Sequence, residues 1–166
     1  MIKKWKLFLA PDIEKEEKWL TEMSDKGLQF VKYKPFVYYF EENPANSYIY
    51  QVDFQEANDD YFELYKDAGW EYVDSFMDNF HYFRAEKDKI GEQRIYTDPE
   101  SLKSLYKRML TFYSILFMVL IVSMLGTFAN WKGLLLQKAV VVLLIGVAIL
   151  YLFLFLSIYK KIKKYE

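Results

Sequence analysis

Two stretches of 21 residues carry no charged side chain: 109–129, MLTFYSILFMVLIVSMLGTFA, and 139–159, AVVVLLIGVAILYLFLFLSIY. A bilayer core ~30 Å thick takes about 20 helical residues at ~1.5 Å each. A helix in lipid also satisfies its own backbone groups, which irregular chain cannot do there. The remaining residues are too few to bury two such helices as core, so two transmembrane helices are predicted, about 109–129 and 139–159.

The flanking charges give an orientation. Lys103, Lys107 and Arg108 precede the first span, and Lys160, Lys161, Lys163 and Lys164 follow the second. The connection holds only Lys132 and Lys138. The positive-inside bias puts both termini in the cytoplasm, in a multi-pass protein of the cell membrane. Lys107, Arg108, Trp131, Lys138, Lys160 and Lys161 are the expected interface anchors. Lys138 reads as snorkelling from the helix end, or as a functional intramembrane lysine. Asp98-Pro99-Glu100 is a helix start, with a cap, a proline in the first turn and an acid at the positive end. Ser123, Gly126 and Thr127 are small enough for close helix approach, within the hairpin or between copies.

Charge separates this half from the rest. Residues 1–98 hold 13 Lys and Arg against 21 Asp and Glu; the remainder holds 9 against 2. An acidic head on a basic, apolar tail fits a membrane and excludes nucleic acid as partner. No cysteine is present, so neither disulfides nor thiolate metal sites arise. The opening MIKKWKLFLAPDIEKEEKW has too short an apolar run for a signal peptide.

The head repeats itself. KGLQFV (26–31) and AGWEYV (68–73) lie 42 residues apart, each after a helical pattern and before an aromatic run. Residues 4–10 and 47–54 alternate like half-buried strands, the first with Trp5, Leu7 and Leu9 on one face. Helical periodicity follows each, with Asp12 as the first helix's cap and Trp19, Leu20 and Met23 as its apolar stripe. Gly27 and Gly69 fall where a left-handed residue ends a helix. Hairpins follow, turning at Lys34-Pro35 and near Met77-Asp78-Asn79. Trp19 matches Tyr61, Phe30 matches Tyr72, Val31 matches Val73, and Phe40 matches Phe83.

The predicted fold class is therefore α+β. A strand–helix–strand–strand unit occurs twice, at about 2–42 and 47–86, within a domain 1–86. About six mostly antiparallel strands carry both helices on one face. One such unit is too small to be stable alone. A linker, 87–98, leads to a juxtamembrane helix and the spans in 99–166.

No catalytic constellation is legible. There is no P-loop, GxGxxG or GxSxG. His81 is the only histidine, lacks a second His or a Cys to share a metal, and reads as structural or exposed. The acids Glu14, Glu16 and Glu17, and Asp59 and Asp60, sit at helix starts and complement the dipole. Catalytic, cofactor-binding and metal residues are thus expected to be none. The head holds 3 Trp, 9 Phe and 10 Tyr within residues 1–98. Alternation turns Phe8, Tyr33 and Tyr39 away from the main core set of their strands. They stand as packing for a second layer or the membrane, or as a surface for a protein partner or a small apolar ligand, cationic or not.

The stretches IKKWKLFLAPDIEKEEKWLTEMSDKGLQFVKY, YYFEE, YIYQVDF and GWEYV resemble DUF2812, a family of Gram-positive bacterial membrane proteins with a domain of unknown function. The resemblance covers about residues 2–86, most specifically at EKEEKWL…M…KG…F. It implies C-terminal transmembrane helices, genes often beside PadR-type regulators, and a membrane-tethered regulatory or accessory role. It brings no catalytic residue with it. The function expected is a membrane-anchored, non-enzymatic regulatory, sensory or interaction module. The alternative is a small accessory subunit of an export or stress-response membrane complex. The expected partners are the lipid bilayer and a protein, or a second copy through the transmembrane helices.

Overall fold

The structure is a computed structural model, and it describes residues 1–90 and 98–165. The chain divides into two compact units, Met1–Ser101 and Leu102–Glu166.

In the first unit the order is β1 (Ile2–Trp5), α1 (Ile13–Asp25), β2 (Leu28–Lys34), β3 (Val37–Glu42), β4 (Tyr48–Phe54), α2 (Asp59–Asp67), β5 (Glu71–Phe76), β6 (Phe80–Glu86) and a short α3 (Lys87–Ile90). The six strands form two three-stranded antiparallel sheets, ordered β1-β3-β2 and β4-β6-β5. The topology is the same in both, as a duplication requires. The likeness extends to an irregularity: register shifts between Phe30 and Lys32 in β2, and between Tyr72 and Asp74 in β5. The bulged residues are Val31 and Val73, 42 apart.

Local chemistry sets the helix ends. Gly27 has φ +80 and Gly69 φ +85, the left-handed conformation that a side chain disfavours. Gly69 N–H bonds Lys66 O and Trp70 N–H bonds Tyr65 O, closing the last turn of α2. Gly27 has a second reason to be glycine: an added Cβ would meet Pro44 at 3.1 Å. Asp12 occupies the α1 cap position, but its side chain makes no cap bond and pairs with Lys15 at 2.6 Å. Asn58 caps α2, accepting Tyr61 N–H at 3.0 Å.

The first strand is shorter than its alternation suggests, ending at Trp5 instead of Ala10. Its partner β3 starts at Val37, opposite Trp5, so beyond Lys6 N–H, which bonds Phe36 O at 3.2 Å, no ladder is available. A turn of 3-10 helix, Ala10–Asp12, with Pro11 buried, then leads into α1. Trp5 and Leu7 consequently lie exposed, not on a core face.

The helices pack on opposite faces of the second sheet, not on one. Tyr82 points to α1 and bonds Glu16, whereas the next residue, Phe83, stacks on Tyr65 of α2 at 4.4 Å. With both faces covered, Phe80 to Phe83 are all buried. Trp19 of α1 packs on Tyr38 and Phe40 of the first sheet, 4.9 and 5.7 Å away, so α1 sits within the core that joins the repeats. Phe30 continues that core to Tyr50 and Tyr82 of the second sheet.

Helices α4 (Pro99–Ala129), which is in the second unit from Leu102 on, and α5 (Leu135–Lys164) form a hairpin. Asp98 caps α4, accepting Ser101 N–H at 2.8 Å and its hydroxyl at 2.7 Å. Phe117 meets Tyr151 and Phe155 across the hairpin, 5.4 and 5.5 Å away. The connection closes on Gln137, which accepts Lys132 N–H at 2.8 Å and donates to Asn130 O at 2.8 Å. Both helices are long and apolar enough to cross a membrane, and almost none of either one's most apolar stretch is buried. Such surface is costly in water and favoured in lipid.

Candidate functional site

The three rings singled out from the sequence do not form one surface. Phe8 is half-buried against Trp19 and Tyr38. Tyr33 packs on Tyr38, Phe76 and Tyr82, and its hydroxyl accepts Phe36 N–H at 3.2 Å. Tyr39 lies beneath the ammonium groups of Lys3 and Lys32, 5.7 and 5.1 Å from its ring centre. Among the interface residues, Trp131 stacks on Phe128 and Lys161 lies over Tyr106. Lys107, Lys138 and Lys160 are exposed, while Arg108 is partly covered, its guanidinium 3.3 Å from Ser104 Oγ.

The acids of α1 do more than complement the dipole. Glu16 is only 6 % exposed and accepts the hydroxyls of Tyr38 at 2.6 Å and Tyr82 at 2.8 Å. Burial pushes its pKa up, against the two hydroxyl bonds that pull it down. The phenols of Tyr38 and Tyr82 are raised in turn by burial and by the nearby carboxylate. Asp53, also buried, accepts the hydroxyls of Tyr61 and Tyr65 at 2.8 and 3.0 Å. These two carboxylate–tyrosine clusters hold elements together.

A cleft of about 430 Å³ does open beside α2, between that helix and the β5–β6 hairpin. Ala57, Phe62, Tyr72, Ser75, Asp78 and His81 line it. Phe62 and Tyr72 meet edge to face at 5.0 Å, and Phe62 also stands perpendicular to His81 at 5.4 Å. Tyr72 and Ser75 share a 2.6 Å hydroxyl bond. Asp78 is carried on the tight turn, where Met77 and Asp78 both have positive φ, 56 and 53.

His81 is 2 % exposed and its Nε2 lies 3.0 Å from Gln55 O. A carbonyl can only accept, so Nε2 is the donor in this contact. The ring's Nδ1 is buried and has no hydrogen-bond partner among the described residues. An unpaired buried polar atom is uncommon and costs free energy unless something satisfies it. Two aromatic rings and the carboxylate at the turn thus line one cleft. Its chemistry suits a small apolar group bearing a positive charge. Among the described residues, no three His, Cys, Asp or Glu side chains are grouped to hold a metal. Periodicity could not reveal the cleft, because His81 and Phe62 are brought together only by packing α2 on the sheet.

No curated protein and no solved structure matches the chain. One family profile does, described as "Protein of unknown function (DUF2812)", and it covers residues 12–118, from the start of α1 into the first apolar helix. A match over well over half of the chain, spanning both repeats, makes this protein a member of the DUF2812 family.

Proposed function

We propose that this chain is a membrane-anchored, non-enzymatic sensory module, whose head binds a small apolar cation in the cleft beside α2. The observation that carries the reading is a cleft walled by the rings of Phe62 and Tyr72 with Asp78 at its rim. The ligand's apolar part would lie on Phe62 and Tyr72, and Asp78 would supply the counter-charge. The two uncovered apolar helices support the tether. The excess of Lys and Arg at 103–108 and 160–164 over the hairpin connection supports a cytoplasmic head and C-terminus.

The test is thermal unfolding of the full chain in nanodiscs with benzylamine and phenethylamine, beside their neutral alcohol analogues. The amines are expected to raise the melting temperature more than the alcohols, and Asp78→Asn to erase the difference. Equal behaviour of amines and alcohols overturns the ligand reading. Because the chain has no cysteine, Lys132→Cys and Lys163→Cys give unique labelling sites. An impermeant maleimide on intact cells should label position 132 and spare position 163.

A further inference from the structure

The two sheets end in edges that are finished differently. On β4, the backbone N–H groups of Tyr48, Tyr50 and Val52 bond Ser24 Oγ at 2.7 Å, Thr21 Oγ1 at 3.1 Å and Glu17 Oε1 at 2.9 Å. One face of α1 therefore closes that edge. Strand β1 holds the same place in the first sheet, and among the described residues no helix packs along it. Its exposed residues Lys3, Lys4 and Trp5 continue into exposed Lys6 and Leu7.

This edge carries large apolar side chains as well as charge. Trp5 is 77 % exposed, Leu7 63 % and Phe36 53 %. Phe36 is brought beside them, since Trp5 pairs with Val37 and Lys6 N–H bonds Phe36 O. It sits on the β2–β3 turn at φ 68, a conformation rarely given to a bulky residue, with exposed Lys34 two residues away. Residues 1–11 contain three lysines and no acid, and the first acid, Asp12, is paired with Lys15. A head that is acidic as a whole thus concentrates lysine and exposed apolar surface in one place.

We propose that this edge is a lipid-docking surface: Trp5, Leu7 and Phe36 enter the headgroup boundary of an anionic bilayer, and Lys3, Lys4, Lys6 and Lys34 face its phosphates. Tryptophan with lysine is the composition that suits that boundary, and basic side chains are drawn to an anionic leaflet. The same chain carries two helices long and apolar enough to cross a membrane, which would keep a bilayer within reach of the head. Outward N–H groups of the open edge add donors that lipid phosphates can accept.

The full chain tests this with a nitroxide on Leu7→Cys and, as control, on Leu64→Cys, an exposed position on α2. Collision with oxygen and with a water-soluble nickel chelate is measured in nanodiscs of phosphatidylcholine with phosphatidylserine and of phosphatidylcholine alone. With the anionic lipid, the label at position 7 is expected to favour oxygen over nickel several-fold more than the label at position 64. Phosphatidylcholine alone, or Lys3→Glu, Lys4→Glu and Lys6→Glu together, should abolish that gain. Equal nickel access at both positions in both lipids overturns the proposal. Dipolar broadening between labels, showing a second copy on this edge, overturns it as well.

Discussion

Glu16, on α1 of the first repeat, accepts the hydroxyl of Tyr82, on β6 of the second, across 66 residues of sequence at 2.8 Å. The same oxygen takes Tyr38 at 2.6 Å. One carboxylate thus ties the first sheet, its helix and the second sheet. Glu16→Ala is expected to lower stability by roughly 3 kcal/mol, because two buried hydroxyls lose their acceptor. Tyr82→Phe removes one bond and should cost about 1 kcal/mol. Thermal unfolding of the full chain in mild detergent checks both; equal, negligible effects would show that the cluster is not a tie.

The same carboxylate predicts a pH dependence. Burial holds its folded pKa above the ordinary glutamate value of 4.5. The folded state then keeps the proton to higher pH than the unfolded chain does. Its contribution to stability is greatest below pH 4.5, declines as pH rises towards the raised value, and levels off above it. Glu16→Gln should remove this decline. Melting temperatures of the two proteins measured from pH 4 upward, ~1 unit apart, would run parallel if the idea is wrong.

The covered edge of β4 gives a local prediction. Thr21→Val keeps the shape of the side chain and removes the acceptor of Tyr50 N–H. A loss of about 1 kcal/mol is expected, with faster hydrogen exchange at Tyr50 than at Val52, whose acceptor on Glu17 remains. Uniform exchange along β4 in the variant would count against α1 as the edge's cover.

At Gly27, alanine meets two penalties, the positive φ and the approach to Pro44. Gly27→Ala is expected to cost about 1–2 kcal/mol in thermal unfolding. A change within a few tenths would mean that the turn relaxes freely. Gln29 argues that it does not, since it bonds both Asn43 O at 2.9 Å and Asn46 O at 2.8 Å and so pins the turn between the repeats.

Much of this architecture was legible from residues alone because its causes are local. The ends of α1 and α2 follow from glycines that must take positive φ. The cap of α4 follows from Asp98 and Pro99, and the two long helices follow from charge-free windows of membrane length. The repeat was visible because duplicated units reuse the same apolar spacing, even to the bulged Val31 and Val73. What stayed hidden depends on neighbours distant in sequence. Alternation in residues 4–10 promised a longer strand facing the core, but a strand extends only as far as its partner, and β3 begins at Val37. The placement of α1 and α2 on opposite faces and the burial of Glu16 and His81 were likewise settled by packing. Side-chain periodicity says which residues share a face; only the folded chain says what that face meets, and there the free energy of a buried polar group is decided.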